Sequence, residues 1–180
     1  MLNIPNLLTL ARIALIPPLL ILMMHPHVLM GWGALVLYII MAVTDWLDGY
    51  IARAYNQGSD LGRMLDPVAD KILVAAMFMA LAANGAVNGW WLALPVIILT
   101  REFMVSGLRE YMGPKGITVH VSKLAKWKTA TQMLSLGFLI MAPHYINAGI
   151  CGLLLLLLAT ILTVKTGWDY LQAARRGQPS

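Results

Sequence analysis

The chain has 180 residues, of which 59% are hydrophobic and only 12% are charged, and its formal net charge is +5. Soluble domains contain about 45–50% apolar residues, and the mean hydropathy of this chain is +0.73. The composition therefore argues against a water-soluble enzyme and predicts an integral membrane protein with one domain over residues 1–180 and no nucleic-acid partner. The single cysteine, Cys151, excludes an intrachain disulfide and a multi-cysteine metal site.

Six apolar stretches are long enough to form membrane helices of about 20 residues each. They are separated by prolines, by Asn-Gly pairs and by a Gly-Pro-Lys-Gly turn, all of which favour breaks between helices. We therefore predict an all-α, polytopic membrane protein with six transmembrane helices. The predicted helices cover residues 6–25, 29–54, 63–85, 90–112, 123–142 and 146–172.

Charge is distributed unequally between the two sides of this predicted bundle. The loops around residues 25–27, 84–88 and 143–147 alternate to one side and contain no Lys, Arg, Asp or Glu, so all 13 basic and all 8 acidic residues fall toward the other side. The positive-inside rule assigns that charged side to the cytoplasm. We expect both termini to be cytoplasmic.

Two pairs of acidic residues lie between the second and third predicted helices. Asp45 and Asp48 end the second helix, and Asp66 and Asp70 open the third. A spacing of three or four residues places both members of a pair on one helix face, and a turn between the helices lets the pairs converge. Carboxylates in an apolar setting are costly unless a cation offsets them, and oxygen-only ligation favours Mg²⁺ or Mn²⁺ over zinc. The alternative is a solvated acidic loop balanced by nearby basic residues.

These acids belong to a longer pattern, Asp45-x2-Asp48-Gly49-x2-Ala52-Arg53-x8-Gly62-x3-Asp66-x3-Asp70. The pattern resembles the signature of the CDP-alcohol phosphatidyltransferases, with every position filled. This resemblance implies transfer of a phosphatidyl group from CDP-diacylglycerol to an alcohol with release of CMP. It also implies a homodimer, which membrane lipids would surround. Asp45 lies 16 residues after Leu29, about 24 Å along a helix, so we expect the active site in a polar pocket of the cytoplasmic leaflet.

The same resemblance implies a role for each position of the pattern. Two divalent ions, Mg²⁺ or Mn²⁺, would be held by Asp45, Asp48, Asp66 and Asp70. Asp70 also matches the proposed general base, which takes the proton from the acceptor hydroxyl. The donor nucleotide would contact Gly49, Ala52, Arg53 and Gly62. Helix packing is the alternative explanation for the small residues among them. Thr9 and Arg12, on one face of the first helix, are further candidates for the donor site.

Basic residues in the second half of the chain indicate the kind of acceptor. An arginine inside a membrane segment is costly unless it is paired or binds an anion, and its guanidinium group suits phosphate. We therefore expect an acceptor that carries phosphate. The candidate phosphate ligands are Arg101, Arg109, Lys126 and Lys128. The alternative is membrane anchoring by positive charge, with local pairing of the arginines to Glu102 and Glu110.

Segments that flank the acidic pattern, within residues 3 to 135, further resemble the bacterial branch of the family that acts on sn-glycerol 3-phosphate. We therefore expect an enzyme of phospholipid biosynthesis in the bacterial inner membrane, with CDP-diacylglycerol and glycerol 3-phosphate as substrates. Inositol phosphate, serine and phosphatidylglycerol remain alternative acceptors. A membrane prenyltransferase is a second enzyme class, and a divalent cation transporter is a non-enzymatic alternative that the apolar outer halves of the helices disfavour.

Overall fold

The computed structural model describes residues 4–54, 60–113 and 123–176, and it describes side chains for residues 7–45, 47, 67–113 and 124–174. A short 3₁₀ helix, Gly89–Leu92, precedes the fourth α-helix. The α-helices are α1 (Ile4–Met24), α2 (Val28–Ala54), α3 (Asp60–Ala83), α4 (Ala93–Met112), α5 (Lys123–Ile140) and α6 (Ile146–Arg176). The all-α prediction is confirmed for the described part of the chain.

The ends of the helices differ from the predicted ends by at most four residues. The third helix begins at Asp60 rather than at residue 63. The partial positive charge of a helix N-terminus favours an acidic residue such as Asp60 at this position. It ends at Ala83, just before a turn in which Gly85 has a φ angle of 80°. That angle lies in the left-handed region, which glycine adopts at little cost.

Four segments of the described chain are long and apolar enough to cross a membrane: Leu7–Met24, Val28–Asp45, Gly89–Met112 and Ile146–Ala174. This finding supports a membrane protein. Helices α3 and α5 are not among the four, and the structure describes the side chains of only part of each, residues 67–83 and 124–140. The first half of α3 contains Asp60, Arg63, Asp66, Asp70 and Lys71, and α5 opens with Lys123, Lys126 and Lys128. The prediction of six spans therefore stays a prediction.

The chain divides into two compact units, and the first comprises Met1–Ala86 together with Ile140–Ile146. In this unit α1 packs against both α2 and α3. The turn after α3 is tied to the end of α1, because Asn84 Nδ2 donates a hydrogen bond of 3.3 Å to the carbonyl oxygen of Met23. The predicted single domain is not tested by this division.

The second unit comprises Val87–Leu139 and Asn147–Ser180 and contains α4, most of α5 and α6. Ser135 of α5 donates a hydrogen bond of 2.8 Å to the carbonyl oxygen of Gly152 in α6. A Cβ atom added to Gly152 would lie 2.8 Å from Leu139 Cγ and 3.1 Å from the Leu139 backbone nitrogen. The glycine therefore allows the two helices to approach closely, as small residues commonly do between membrane helices.

We expect Gly152→Ala to lower the unfolding temperature, because overpacking of this kind costs about 1–3 kcal/mol. The measurement is thermal unfolding of the purified protein in detergent. Gly107→Ala in α4 is the matched control, since a Cβ atom there meets no described atom within 4 Å and alanine favours a helix over glycine. An unfolding temperature that Gly152→Ala leaves unchanged would contradict close packing of α5 and α6.

Candidate active site

A buried arginine joins the two acidic pairs that the sequence singles out. Arg12 Nη1 lies 2.5 Å from Asp45 Oδ1 and donates a hydrogen bond of 3.2 Å to Asp70 Oδ1. Asp45 ends the apolar stretch of α2, and Asp70 lies in α3. The structure therefore brings one member of each acidic pair to the same nitrogen atom of α1.

The position of Arg12 follows from the pattern of burial along α1. Buried residues recur there every three or four positions, as Thr9, Arg12, Ile16, Leu19 and Met23. This spacing defines a single helix face, and α1 packs against α2 and α3. The arginine thus occupies a core position, where its charge requires partners, and the two aspartates supply them.

Solvent exposure differs sharply between the arginine and its partners. The Arg12 side chain is 2% exposed, whereas the side chains of Asp45 and Asp70 are 40% and 54% exposed. Charge-assisted hydrogen bonds of this kind are short and directional. The arginine therefore holds both carboxylates from the buried side, and part of each carboxylate side chain stays exposed at the surface of the chain.

The donor atoms of this site fit a hard divalent cation. Asp45 and Asp70 offer carboxylate oxygens, which Mg²⁺ and Mn²⁺ prefer. The side chains of the other two predicted ligands, Asp48 and Asp66, lie outside the described residues. Among the side chains that are described, no group of three or more His, Cys, Asp or Glu residues is placed to hold a metal ion. The ligand set of four aspartates therefore stays a prediction, and its chemistry is that of an Mg²⁺ or Mn²⁺ site.

The predicted residues of the donor pocket are mostly untested. Gly49, Ala52 and Arg53 belong to α2 and Gly62 belongs to α3, but their side chains lie outside the described part of the structure. Thr9 is described and is 1% exposed, on the same face of α1 as Arg12. Its contact with the donor stays a prediction.

A second polar cluster lies in the second unit. Glu102 Oε1 accepts a hydrogen bond of 3.3 Å from Arg101 Nη1 and a further bond from Lys128 Nζ. The side chains of Arg101, Lys128 and Glu102 are 13%, 7% and 23% exposed. Two cations thus share one carboxylate, so this largely buried cluster has an excess of one positive charge. The local pairing of Arg101 with Glu102 is present, but it does not neutralise the cluster.

The other two predicted phosphate ligands, Arg109 and Lys126, form no ion pair with this cluster among the described side chains, and their role stays a prediction. Both residues are exposed. Lys126 and Lys128 do not face the same neighbour, because residues two apart on a helix point in nearly opposite directions. Lys128 faces Glu102, and Lys126 therefore faces away from it.

Two residues with central positions in these clusters make contacts that the sequence did not predict. Arg12, a candidate for the donor site, contacts Asp45 and Asp70, and its role toward the donor stays a prediction. Glu102 was expected only as a local partner of Arg101, and it also binds Lys128 across the 26 residues that separate them. An arginine inside an apolar stretch is a sequence signal for such a partner, but it does not say which residue the partner is.

Comparison with known proteins agrees with the acidic pattern. The family model described as CDP-alcohol phosphatidyltransferase matches residues 2–165. Relatives from several bacteria carry the name CDP-diacylglycerol–glycerol-3-phosphate 3-phosphatidyltransferase. The protein from Rickettsia bellii (strain RML369-C) is 39% identical over 178 residues, which cover 97% of this chain and 96% of the relative. The protein from Rickettsia typhi (strain ATCC VR-144 / Wilmington) is 40% identical over 177 residues, covering 96% and 97%.

A third relative, from Escherichia coli (strain K12), is 39% identical over 176 residues, which cover 96% of this chain and 95% of the relative. The similarity therefore runs through both compact units and is not confined to the acidic pattern. The family match covers most of the chain, and it includes Arg12, Asp45 and Asp70, whose contacts form the first cluster. The chain belongs to the CDP-alcohol phosphatidyltransferase family.

Proposed function

We propose that the protein transfers the phosphatidyl group of CDP-diacylglycerol to sn-glycerol 3-phosphate, giving phosphatidylglycerophosphate and CMP. The observation that carries this proposal is the junction of Asp45 and Asp70 on Arg12, in a chain that is similar over nearly its full length to proteins named for this reaction. Its activity is then the one for which these relatives are named, and the protein is an enzyme of phospholipid biosynthesis.

The aspartates of the first unit carry the chemical step in this proposal. An oxygen of the acceptor hydroxyl attacks the β-phosphorus of the donor, the bond from that phosphorus to the CMP oxygen breaks, and CMP leaves with the electron pair. Asp70 accepts the hydroxyl proton as general base. Its 54% exposed side chain makes it accessible to a water-soluble acceptor, and its hydrogen bond to Arg12 fixes its orientation.

The predicted metal ligands Asp45, Asp48, Asp66 and Asp70 would hold Mg²⁺ or Mn²⁺, two ions by analogy with the family. When bound, these ions offset the charge of the donor pyrophosphate and stabilise the leaving phosphate. Arg12 keeps Asp45 and Asp70 at a common point while both remain open to solvent. We propose Gly49, Ala52, Arg53, Gly62 and Thr9 as the residues that contact the nucleotide.

The second cluster supports an acceptor that carries phosphate. Arg101 and Lys128 share a single carboxylate, Glu102, so the cluster retains a positive charge that a phosphate would balance. Serine has no phosphate and would not balance this positive charge. We therefore propose that Arg101 and Lys128 bind the phosphate of the acceptor. The other two predicted ligands, Arg109 and Lys126, would attract the acceptor from solution.

We propose six membrane spans in the bacterial inner membrane, with the termini and the active site on the cytoplasmic side, and a homodimer. Four apolar spans in the described residues support membrane insertion. The absence of charged residues from the turns at residues 25–27 and 84–88 supports the orientation, since basic residues collect on the cytoplasmic side.

The proposal is tested by measuring CMP release from CDP-diacylglycerol by the purified protein in Mg²⁺. Glycerol 3-phosphate, inositol phosphate, serine and phosphatidylglycerol are supplied one at a time, and a sample with EDTA tests the need for a divalent ion. We expect release with glycerol 3-phosphate alone. Release with inositol phosphate instead would keep the reaction and replace the acceptor. No release with any acceptor would overturn the proposed function.

A further inference from the structure

The side chain of Arg101 lies against α6, a helix that contains no residue of the acidic pattern. The partners on that helix are Thr166 and Gly167, which directly follow the last residue that the family model matches, residue 165. Both are buried, and Thr166 is separated from Arg101 by 65 positions in the sequence. The contact is therefore a product of the tertiary structure and not of local sequence.

Thr166 presents a fixed acceptor to the arginine. Its Oγ1 donates to the backbone carbonyl oxygen of Leu162 at 2.8 Å, with the carbonyl oxygen of Thr163 at 3.2 Å. A hydroxyl group has one hydrogen, so a donor committed to the helix backbone leaves its lone pairs for other partners. Arg101 Nη2 donates to this oxygen at 3.2 Å. The threonine therefore anchors one end of the guanidinium group in a defined orientation.

Gly167 provides the space in which the arginine side chain lies. A Cβ atom added to this glycine would lie 2.9 Å from Arg101 Cγ and 3.3 Å from Arg101 Nε. A side chain at this position would therefore displace the arginine along most of its length. The glycine and the threonine act on the same side chain, the first by allowing its close approach and the second by fixing its end.

The guanidinium group that results still has donors to offer. Arginine has five N–H bonds, and Arg101 donates one to Glu102 and one to Thr166. The Nε atom is buried and has no hydrogen-bond partner among the described residues. A buried donor without a partner costs free energy, and an oxyanion would satisfy it. The planar guanidinium group binds phosphate oxygens particularly well when it is held in advance.

We propose that Thr166 and Gly167 are positioning residues, which hold the guanidinium group of Arg101 ready for the phosphate of the acceptor. The last helix thereby contributes to the preference for a phosphorylated acceptor. This inference rests on the proposed function, and in particular on Arg101 as a phosphate ligand. Neither residue of α6 needs to touch the substrate, since each acts through the arginine.

The test compares Thr166→Val with Thr160→Val. Both threonines are buried in α6, and both donate a hydrogen bond of 2.8 Å to the carbonyl oxygen four residues earlier. Of the two, only Thr166 also accepts a hydrogen bond from an arginine in the described part of the chain. Valine retains the shape and removes the acceptor, so a general effect on helix packing is common to both variants, and an effect on Arg101 belongs to Thr166→Val alone.

We expect Thr166→Val to raise the KM for glycerol 3-phosphate about ten-fold, the size expected when one hydrogen bond to a charged group is lost. The kcat and the KM for CDP-diacylglycerol should change less than about two-fold, since the chemical step is assigned to other residues. Thr160→Val should leave all three unchanged. Equal effects of the two variants on the KM for glycerol 3-phosphate would overturn the positioning role.

Gly167→Ala provides a second, independent variant. Its control is Gly107→Ala, because a Cβ atom at Gly107 meets no described atom within 4 Å. We expect Gly167→Ala to raise the KM for glycerol 3-phosphate. When it is combined with Arg101→Gln, the further rise in this KM should be small, because both changes act on one side chain. Full additivity of the two changes would contradict the proposal.

Arg101→Gln separates the failure of this inference from a failure of the proposed function. If Arg101→Gln raises the KM for glycerol 3-phosphate and Thr166→Val does not, Arg101 binds the acceptor and only its positioning by α6 is wrong. If Arg101→Gln leaves that KM unchanged, both the phosphate role and the positioning role are wrong. If the unmodified protein releases no CMP with glycerol 3-phosphate, the proposed function itself fails.

Discussion

Replacing Asp70 with asparagine is expected to lower kcat for CMP release by about 10²–10⁴-fold, the usual contribution of a general base. Asparagine has nearly the same shape as aspartate and retains an oxygen that can accept the hydrogen bond from Arg12. It cannot take up the proton of the acceptor hydroxyl. The measurement is the initial rate of CMP release with both substrates at saturation, alongside thermal unfolding to verify that the variant is folded.

Asp169→Asn is the matched control for this change. Asp169 is an exposed aspartate of α6 that has no predicted role in the site, so its replacement should leave kcat unchanged. An unchanged kcat for Asp70→Asn would show that the acidic cluster does not supply the base. The concentration of Mg²⁺ that gives half of the maximal rate adds a second readout, because it should rise only if Asp70 is also a metal ligand.

The helices and the meeting of the acidic residues could be predicted from the sequence, because both depend on local patterns. Long apolar stretches separated by turn residues define the helices. The spacing within each acidic pair predicts that its members share a helix face and that the two pairs can converge. The contacts of Asp45 in α2 and Asp70 in α3 with Arg12 agree with that convergence.

The partners of the buried cations could not be predicted in the same way, because they depend on the rotation and packing of distant helices. Arg12 and Asp70 are 58 positions apart, and Arg101 and Thr166 are 65 positions apart. The sequence shows that an arginine in an apolar stretch needs a partner, but several acidic and polar residues are eligible. The same limit explains why Lys126 and Lys128 were grouped, although only Lys128 faces Glu102.

Replacing Arg12 with methionine is expected to lower the unfolding temperature in EDTA and to increase the stabilisation by Mg²⁺. Methionine is unbranched and apolar, so it suits the buried face of α1, but it leaves Asp45 and Asp70 without the cation that they share. Removing one partner costs about 1 kcal/mol or less for an exposed ion pair and about 3–5 kcal/mol for a buried one. This case lies between them, since the arginine is buried and the carboxylates are partly exposed.

The increased response to Mg²⁺ follows from what Arg12 does to the charge of the site. In the unmodified protein the arginine already offsets part of the negative charge, so a divalent ion gains less from binding there. Without the arginine the carboxylates attract the ion more strongly, and tighter binding raises the unfolding temperature further at the same Mg²⁺ concentration. Thermal unfolding of Arg12→Met is therefore measured in EDTA and across a series of Mg²⁺ concentrations, with Arg12→Lys as a control that retains the charge.

The comparison of the two variants decides what the arginine contributes. If charge is what matters, Arg12→Lys should respond to Mg²⁺ like the unmodified protein, and only Arg12→Met should show the larger rise. If the geometry of the two N–H···O contacts matters more than the charge, both variants should lose stability in EDTA, because the ammonium group of lysine ends a flexible chain and lacks the planar shape of the guanidinium group. A rise with Mg²⁺ that is the same in all three proteins would show that the ion does not bind at the carboxylates that Arg12 holds, and the aspartates of α2 and α3 would then need another role.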